Sequence, residues 1–175
     1  MRNTAFLAVG IALLIVQSNL FRLIGPLHIP GATPSLLLPL IVFMGVHEFS
    51  IARGAALAFF LGYLLDLFAA APVGLCTFIT VATFVVARAA GVRLSAQTLL
   101  TKIALAFVFG LLEGVLIVVL TAIFGGDAAR PRALALLVAP HAVATAIFAP
   151  FVFALAERVH QLTITVPRPG EGGAR

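Results

Sequence analysis

The sequence predicts an all-α integral membrane protein, a polytopic bundle of six transmembrane helices, or five if the second apolar segment does not cross. Three observations predict it. The chain is 62% hydrophobic and 10% charged, with a mean hydropathy of +1.20, a balance that would precipitate a water-soluble domain of this length. Its apolar residues fall into runs separated by short polar or Gly- and Pro-containing breaks. Each spanning helix needs ~20 residues, so 175 residues hold five or six spans and no soluble domain. Finally, Lys and Arg are scattered between the runs rather than gathered into a stripe. The net charge of +5 therefore reads as a topological signal and not as a nucleic-acid surface.

The first run covers Ala5–Ile24 and ends at Gly25-Pro26. No small-x-small cleavage site follows it, so it reads as a retained span and not a removed signal peptide. The second, Ser35–Phe49, is short and contains Pro39 and Gly45. A run of roughly 15 residues is below the shortest usual span of ~17, which leaves spanning and re-entrant forms both open. The reading adopted is a span, with His47, Glu48, Ser50 and Arg53 forming an interfacial turn.

The third run follows Arg53 and continues to Ala71, and the fourth, Val73–Ala90, begins almost at once. So tight a connection makes an antiparallel helical hairpin. Arg88, Arg93 and Lys102 lead into the fifth run, Ile103–Phe124, and a polar loop from Gly125 to Arg132 leads into the sixth, Ala133–Ala156, where Pro140 and Pro150 are expected to kink the helix. Residues 1–165 thus form a single transmembrane domain. Residues 166–175, with almost nothing apolar to bury, form a disordered cytoplasmic tail.

With six spans and the N-terminus inside, Arg2, Arg53, Arg88, Arg93, Lys102, Arg158, Arg168 and Arg175 are cytoplasmic, against Arg22, Arg130 and Arg132 outside. This fits the positive-inside rule. If the second run does not cross, Arg2 and Arg22 exchange sides and the balance is unchanged. The rule therefore fixes the last four spans and leaves the first two open.

Small residues recur at helical spacing in three of the runs. Ala55, Ala58, Gly62, Asp66 and Ala70 make one stripe; Ala106, Gly110 and Gly114, with Glu113 beside them, a second; Ala135, Ala139, Ala142, Ala146 and Ala149 a third. Such stripes let helix backbones approach closely, and packing within the chain is the simplest use of them.

Ionisable groups inside a membrane are costly and mark candidate sites. At 1.5 Å per residue, Asp66 lies ~8 Å, His141 ~12 Å and Glu113 ~16 Å below the outer ends of their helices. One reading makes them a polar cluster that binds a ligand, passes a proton or anchors a partner helix. The other has Asp66 capping the next helix through amides near Gly74, with His141 or a hydroxyl satisfying Glu113. Thr77, Thr80 and Thr83 are expected to bond their own helix carbonyls. No metal site is expected, because the adjacent His47 and Glu48 project to different helix faces. The lone Cys76 offers neither a disulfide nor a thiolate cluster. Gly-x-Ser-x-Gly, His-Glu-x-x-His and phosphate-loop signatures are absent, and no cofactor is implied.

The stretch Gly62-Tyr63-Leu64-Leu65-Asp66-Leu67, followed by Pro72-Val73-Gly74-Leu75, resembles the motif of the rod shape-determining protein MreD family: a glycine, an aspartate four residues on, then a small-residue turn. Chain length and the run pattern are similar along most of the sequence. The resemblance implies a non-enzymatic scaffold of the bacterial cell-elongation complex (elongasome), in the cytoplasmic (inner) membrane with the C-terminus cytoplasmic. The partners it implies are an MreC-like membrane-anchored protein, the MreB filament and the lateral-wall peptidoglycan synthases, besides membrane lipid. Gly62, Asp66, Pro72 and Gly74 match the motif and would hold the hairpin that supports the partner surface. Glu113 and His141 are intramembrane polar residues that the motif does not reach.

The chain is also similar, more distantly, to the six-helix S components that bind substrate in vitamin transporters. That reading implies a pocket lined by aromatic and polar groups, against which stand the absence of Trp and the single Tyr63. An intramembrane hydrolase would need Asp66 and Glu113 close enough to share a proton.

Overall fold

The second apolar run organises the molecule. From Leu36 to Gly45 every residue is buried, and between Ser35 and Val46 no side chain is charged. A helix that is apolar all round is stable only inside a packed structure. The computed structural model describes residues 2–24, 33–47, 50–69, 73–91, 98–124 and 131–163. These form α1 (Arg2–Ile24), α2 (Leu37–His47), α3 (Ile51–Ala69), α4 (Leu75–Gly91), α5 (Leu99–Phe124) and α6 (Pro131–Thr163). Helix α2 touches all five others, most extensively α4 and α6.

The secondary structure of the described residues is all helical, as expected, but the helices differ in reach. By length and composition, α3, α5 and α6 can cross a membrane. Helix α2 has 11 residues, ~16 Å of helix against a hydrocarbon core of ~30 Å. It is therefore a buried plug among longer helices. Pro39 does not interrupt it: proline in the first turn lacks an N–H that has no intrahelical partner there anyway. Helix α6 has 33 residues and runs through both Pro140 and Pro150, longer than the predicted run at each end. The predicted tail, 166–175, lies outside the described residues.

The helices alternate in direction. Helices α3 and α4 are antiparallel, meeting at Gly54 and Phe84 and again at Gly62 and Thr80. Helices α5 and α6 form the most extensive pair, with Gly110 against Ala142 and Gly114 against Val138. The small-residue stripes are thus used within the chain: Ala58 and Gly62 face α4, and Ala106, Gly110 and Gly114 are buried. In α6 the stripe is buried from Ala142 to Ala149 but exposed at Ala135 and Ala139.

One end of the bundle gathers Arg53, Arg88, Lys102 and Arg158, and there Lys102 pairs with Glu157. The same end holds an aromatic cluster, with Phe43 stacked on His47 at 4.2 Å and packed against Phe6, Phe153 and His160. The exterior exposes large apolar side chains, including Phe59, Phe78, Phe124, Leu136, Ile147 and Phe151. Such a surface is suited to an apolar solvent and not to water.

Candidate functional site

The first candidate residue, Asp66, projects from the last turns of α3 onto the first turn of α4. The leading amides of a helix have no intrahelical acceptor and carry the positive end of its dipole. Asp66 supplies that acceptor. Its Oδ2 accepts from the Gly74 N–H at 2.9 Å, the Thr77 N–H at 3.1 Å and the Thr77 hydroxyl at 2.6 Å, and its Oδ1 accepts from the Cys76 N–H at 2.7 Å. The side chain is 1% exposed, so four donors replace the water it has lost.

Two glycines make this geometry possible. Gly74 has φ +100°, a left-handed conformation that L side chains rarely adopt. At Gly62, one turn before Asp66, an added Cβ would lie 2.0 Å from Thr80 Oγ1 and 2.7 Å from the Thr77 Cα. The helices therefore approach closely enough for the carboxylate to reach. Pro72, the remaining motif residue, lies outside the described residues. The Thr80 hydroxyl bonds its own helix carbonyls, as expected, and also the Ala58 carbonyl of α3. Thr77 departs from that expectation by turning to Asp66, and so does Thr83, whose buried hydroxyl has no hydrogen-bond partner among the described residues.

The second group assembles where α2 begins. Glu113 on α5 accepts from the Ser35 hydroxyl through Oε1 at 3.3 Å, and its Oε2 faces His141 Nε2 at 3.4 Å. His141 on α6 bonds the Thr33 carbonyl through Nδ1 at 2.7 Å. The Ser35 N–H donates to Thr145 Oγ1 at 3.0 Å, and the Leu36 N–H to Gln17 Oε1 at 2.9 Å. Side chains from α1, α5 and α6 thus satisfy the polar groups leading into the buried helix.

Beside this cluster is a cleft of about 320 Å³, lined by Gln17, Ser18, Thr33 and His141 on its polar edge and by Leu14, Leu65 and Phe68 among its apolar walls. A second cleft, of about 150 Å³, is also lined by Thr33 and His141 and continues along Gly114, Val118 and Val138. The structure thus brings Glu113 and His141 together and holds Asp66 in a different network. Among the described residues, no hydrogen bond joins the two carboxylates, and no group of three His, Cys, Asp or Glu side chains is placed to hold a metal ion. His47 bonds the Phe43 carbonyl; Glu48 lies outside the described residues.

Sequence reasoning missed Gln17, Thr33, Ser35 and Thr145. For Ser35 a signal was present, since a serine just before an apolar run is a helix-start pattern. Gln17 and Thr145 are single polar residues on apolar helices, and their convergence depends on tertiary packing alone. Compared with family models, curated proteins and solved structures, the chain finds no match in any of the three.

Proposed function

We propose that this chain is a multi-pass protein of the bacterial inner membrane, its C-terminus cytoplasmic. In that membrane it acts as a non-enzymatic scaffold of the cell-elongation complex, binding an MreC-like single-span protein alongside the MreB filament and the lateral-wall peptidoglycan synthases. The observation that carries the reading is how Asp66 is used. Gly62, Asp66 and Gly74, three of the four motif residues, form one unit that locks α3 to α4. An acid already accepting four hydrogen bonds has little capacity left for proton transfer or ligand capture, whereas a rigid hairpin offers a partner a defined surface.

The test is affinity purification of the tagged chain from its native membranes. An MreC-like protein should co-purify, and depletion should round rod-shaped cells. Co-purification with a transporter's energising module, with cell shape unchanged, would overturn the proposal and favour the second reading. That reading, a solute-binding S component, is supported by the 320 Å³ cleft and its polar edge at Gln17, Thr33 and His141, since small-molecule sites combine apolar walls with a few convergent polar groups.

A further inference from the structure

The backbone fixes the tautomer of His141, and this constrains Glu113. The Thr33 carbonyl can only accept, so His141 Nδ1, 2.7 Å away, carries a hydrogen and donates it. In a neutral ring Nε2 is then a bare lone pair. It faces Glu113 Oε2, while Oε1 already accepts from the Ser35 hydroxyl. An ionised carboxylate opposite that lone pair would put two acceptors together with no hydrogen between them. One additional proton removes the conflict, either as a carboxylic acid donating to Nε2 or as an imidazolium donating to Oε2. Both forms leave the pair without net charge, which suits a site where Glu113 is 7% exposed.

We propose that Glu113 and His141 form a binding site for one exchangeable proton, and that its occupancy clamps the entry of the buried helix α2 to α5 and α6. The clamp is the bond from His141 Nδ1 to the Thr33 carbonyl, beside that from the Ser35 hydroxyl to Glu113. Without the proton, His141 can satisfy the carboxylate only by carrying its hydrogen on Nε2, and Nδ1 then has nothing to donate to Thr33. Access is through His141 itself, which lines both clefts, one walled by α1 and α3 and the other by α5 and α6.

Among the described residues, the groups around the pair leave it as the titrating centre. Helix α1 contributes Gln17 and the segment entering α2 contributes Thr33 and Ser35, none of which titrates in this range; α6 adds only Thr145 beside His141. Helix α4 brings Cys76 within electrostatic reach of Glu113 and of Asp66. Asp66, on α3, has both oxygens engaged by α4. The proton site does not depend on whether the chain is a scaffold or a solute-binding component.

Glutamine has the shape of a protonated glutamate, and its amide hydrogens do not dissociate, so Glu113→Gln mimics the occupied site. The experiment is thermal unfolding of the full chain in lipid nanodiscs as a function of pH. The native pair keeps a proton that the unfolded chain releases, so stability falls as pH rises. The wild-type melting temperature should fall above neutral pH, and that of Glu113→Gln should stay flat there and overtake it. Parallel profiles would overturn the proposal. A reading without that variant comes from ¹⁵N NMR of histidine-labelled wild-type protein, the His141 signal being identified by its loss in His141→Asn. While the proton is bound, Nδ1 should be protonated; once rising pH removes it, the hydrogen should sit on Nε2 and Nδ1 should be bare. A neutral ring protonated on Nε2 at low pH, or one indifferent to pH, would contradict the proposal.

Discussion

The two buried carboxylates each serve the start of a helix, and they do so differently. Asp66 meets α4 directly, with four donors at 2.6 to 3.1 Å. Glu113 meets the entry of α2 through intermediaries, a serine hydroxyl at 3.3 Å and a histidine nitrogen at 3.4 Å. The first arrangement is closed, because every donor is a backbone amide or a hydroxyl anchored beside one and the acceptor must be ionised. The second is adjustable, because its occupancy changes with a single proton and two clefts adjoin it. Burial alone therefore does not identify a functional acid; the chemistry of its partners does.

The largest effect that can break this comparison is Asp66→Ala. It leaves three amides and a hydroxyl without an acceptor, and a buried unsatisfied donor costs about 1 to 3 kcal/mol. Loss of about 3 kcal/mol or more in folded-state stability, measured by thermal unfolding in nanodiscs, is expected. A loss below that would mean that water reaches the cap. Next is Gly62→Ala, whose Cβ would press on the Thr77 backbone. Overpacking of this kind costs about 1 to 3 kcal/mol, and cysteine crosslinking between α3 and α4 should report the hairpin spreading.

Gly74→Ala should cost less, about 1 kcal/mol, because its penalty is the left-handed backbone and nothing lies within 4 Å of an added Cβ. The same denaturation measurement checks it. A loss as large as that of Gly62→Ala would assign the turn a tighter environment than is observed.

How far the sequence reached follows the same division. The α3–α4 hairpin was legible because its signals are local: a tight connection, a glycine one turn before an acid, and a turn glycine eight residues after it. Even so, the residues left capping and a wider polar cluster as alternatives, and the hydrogen bonds decided in favour of the cap. The meeting of Glu113 with His141 was legible only as one of several partnerships, since depth along a helix says nothing about which face is turned inward. Burial of α2 was the least accessible. An apolar run of that length reads equally as a short span, a re-entrant segment or a core helix, and only the packing of five neighbours around it distinguishes them. Ser35 and Thr145, spaced 110 residues apart, acquire meaning through that packing.

The most direct measurement of the difference between the two acids is a matched pair of amide substitutions, Asp66→Asn and Glu113→Gln, unfolded side by side at neutral pH in nanodiscs. In Asp66→Asn an amide group must face the Cys76 N–H or the three donors at Oδ2, so a loss of about 1 to 2 kcal/mol is expected. In Glu113→Gln the amide can donate to His141 Nε2 and still accept from Ser35, so stability should stay within about 0.5 kcal/mol of wild type, the range of an undisturbed site. Equal losses in the two variants would contradict the account, because both carboxylates would then be fixed acceptors of the same kind.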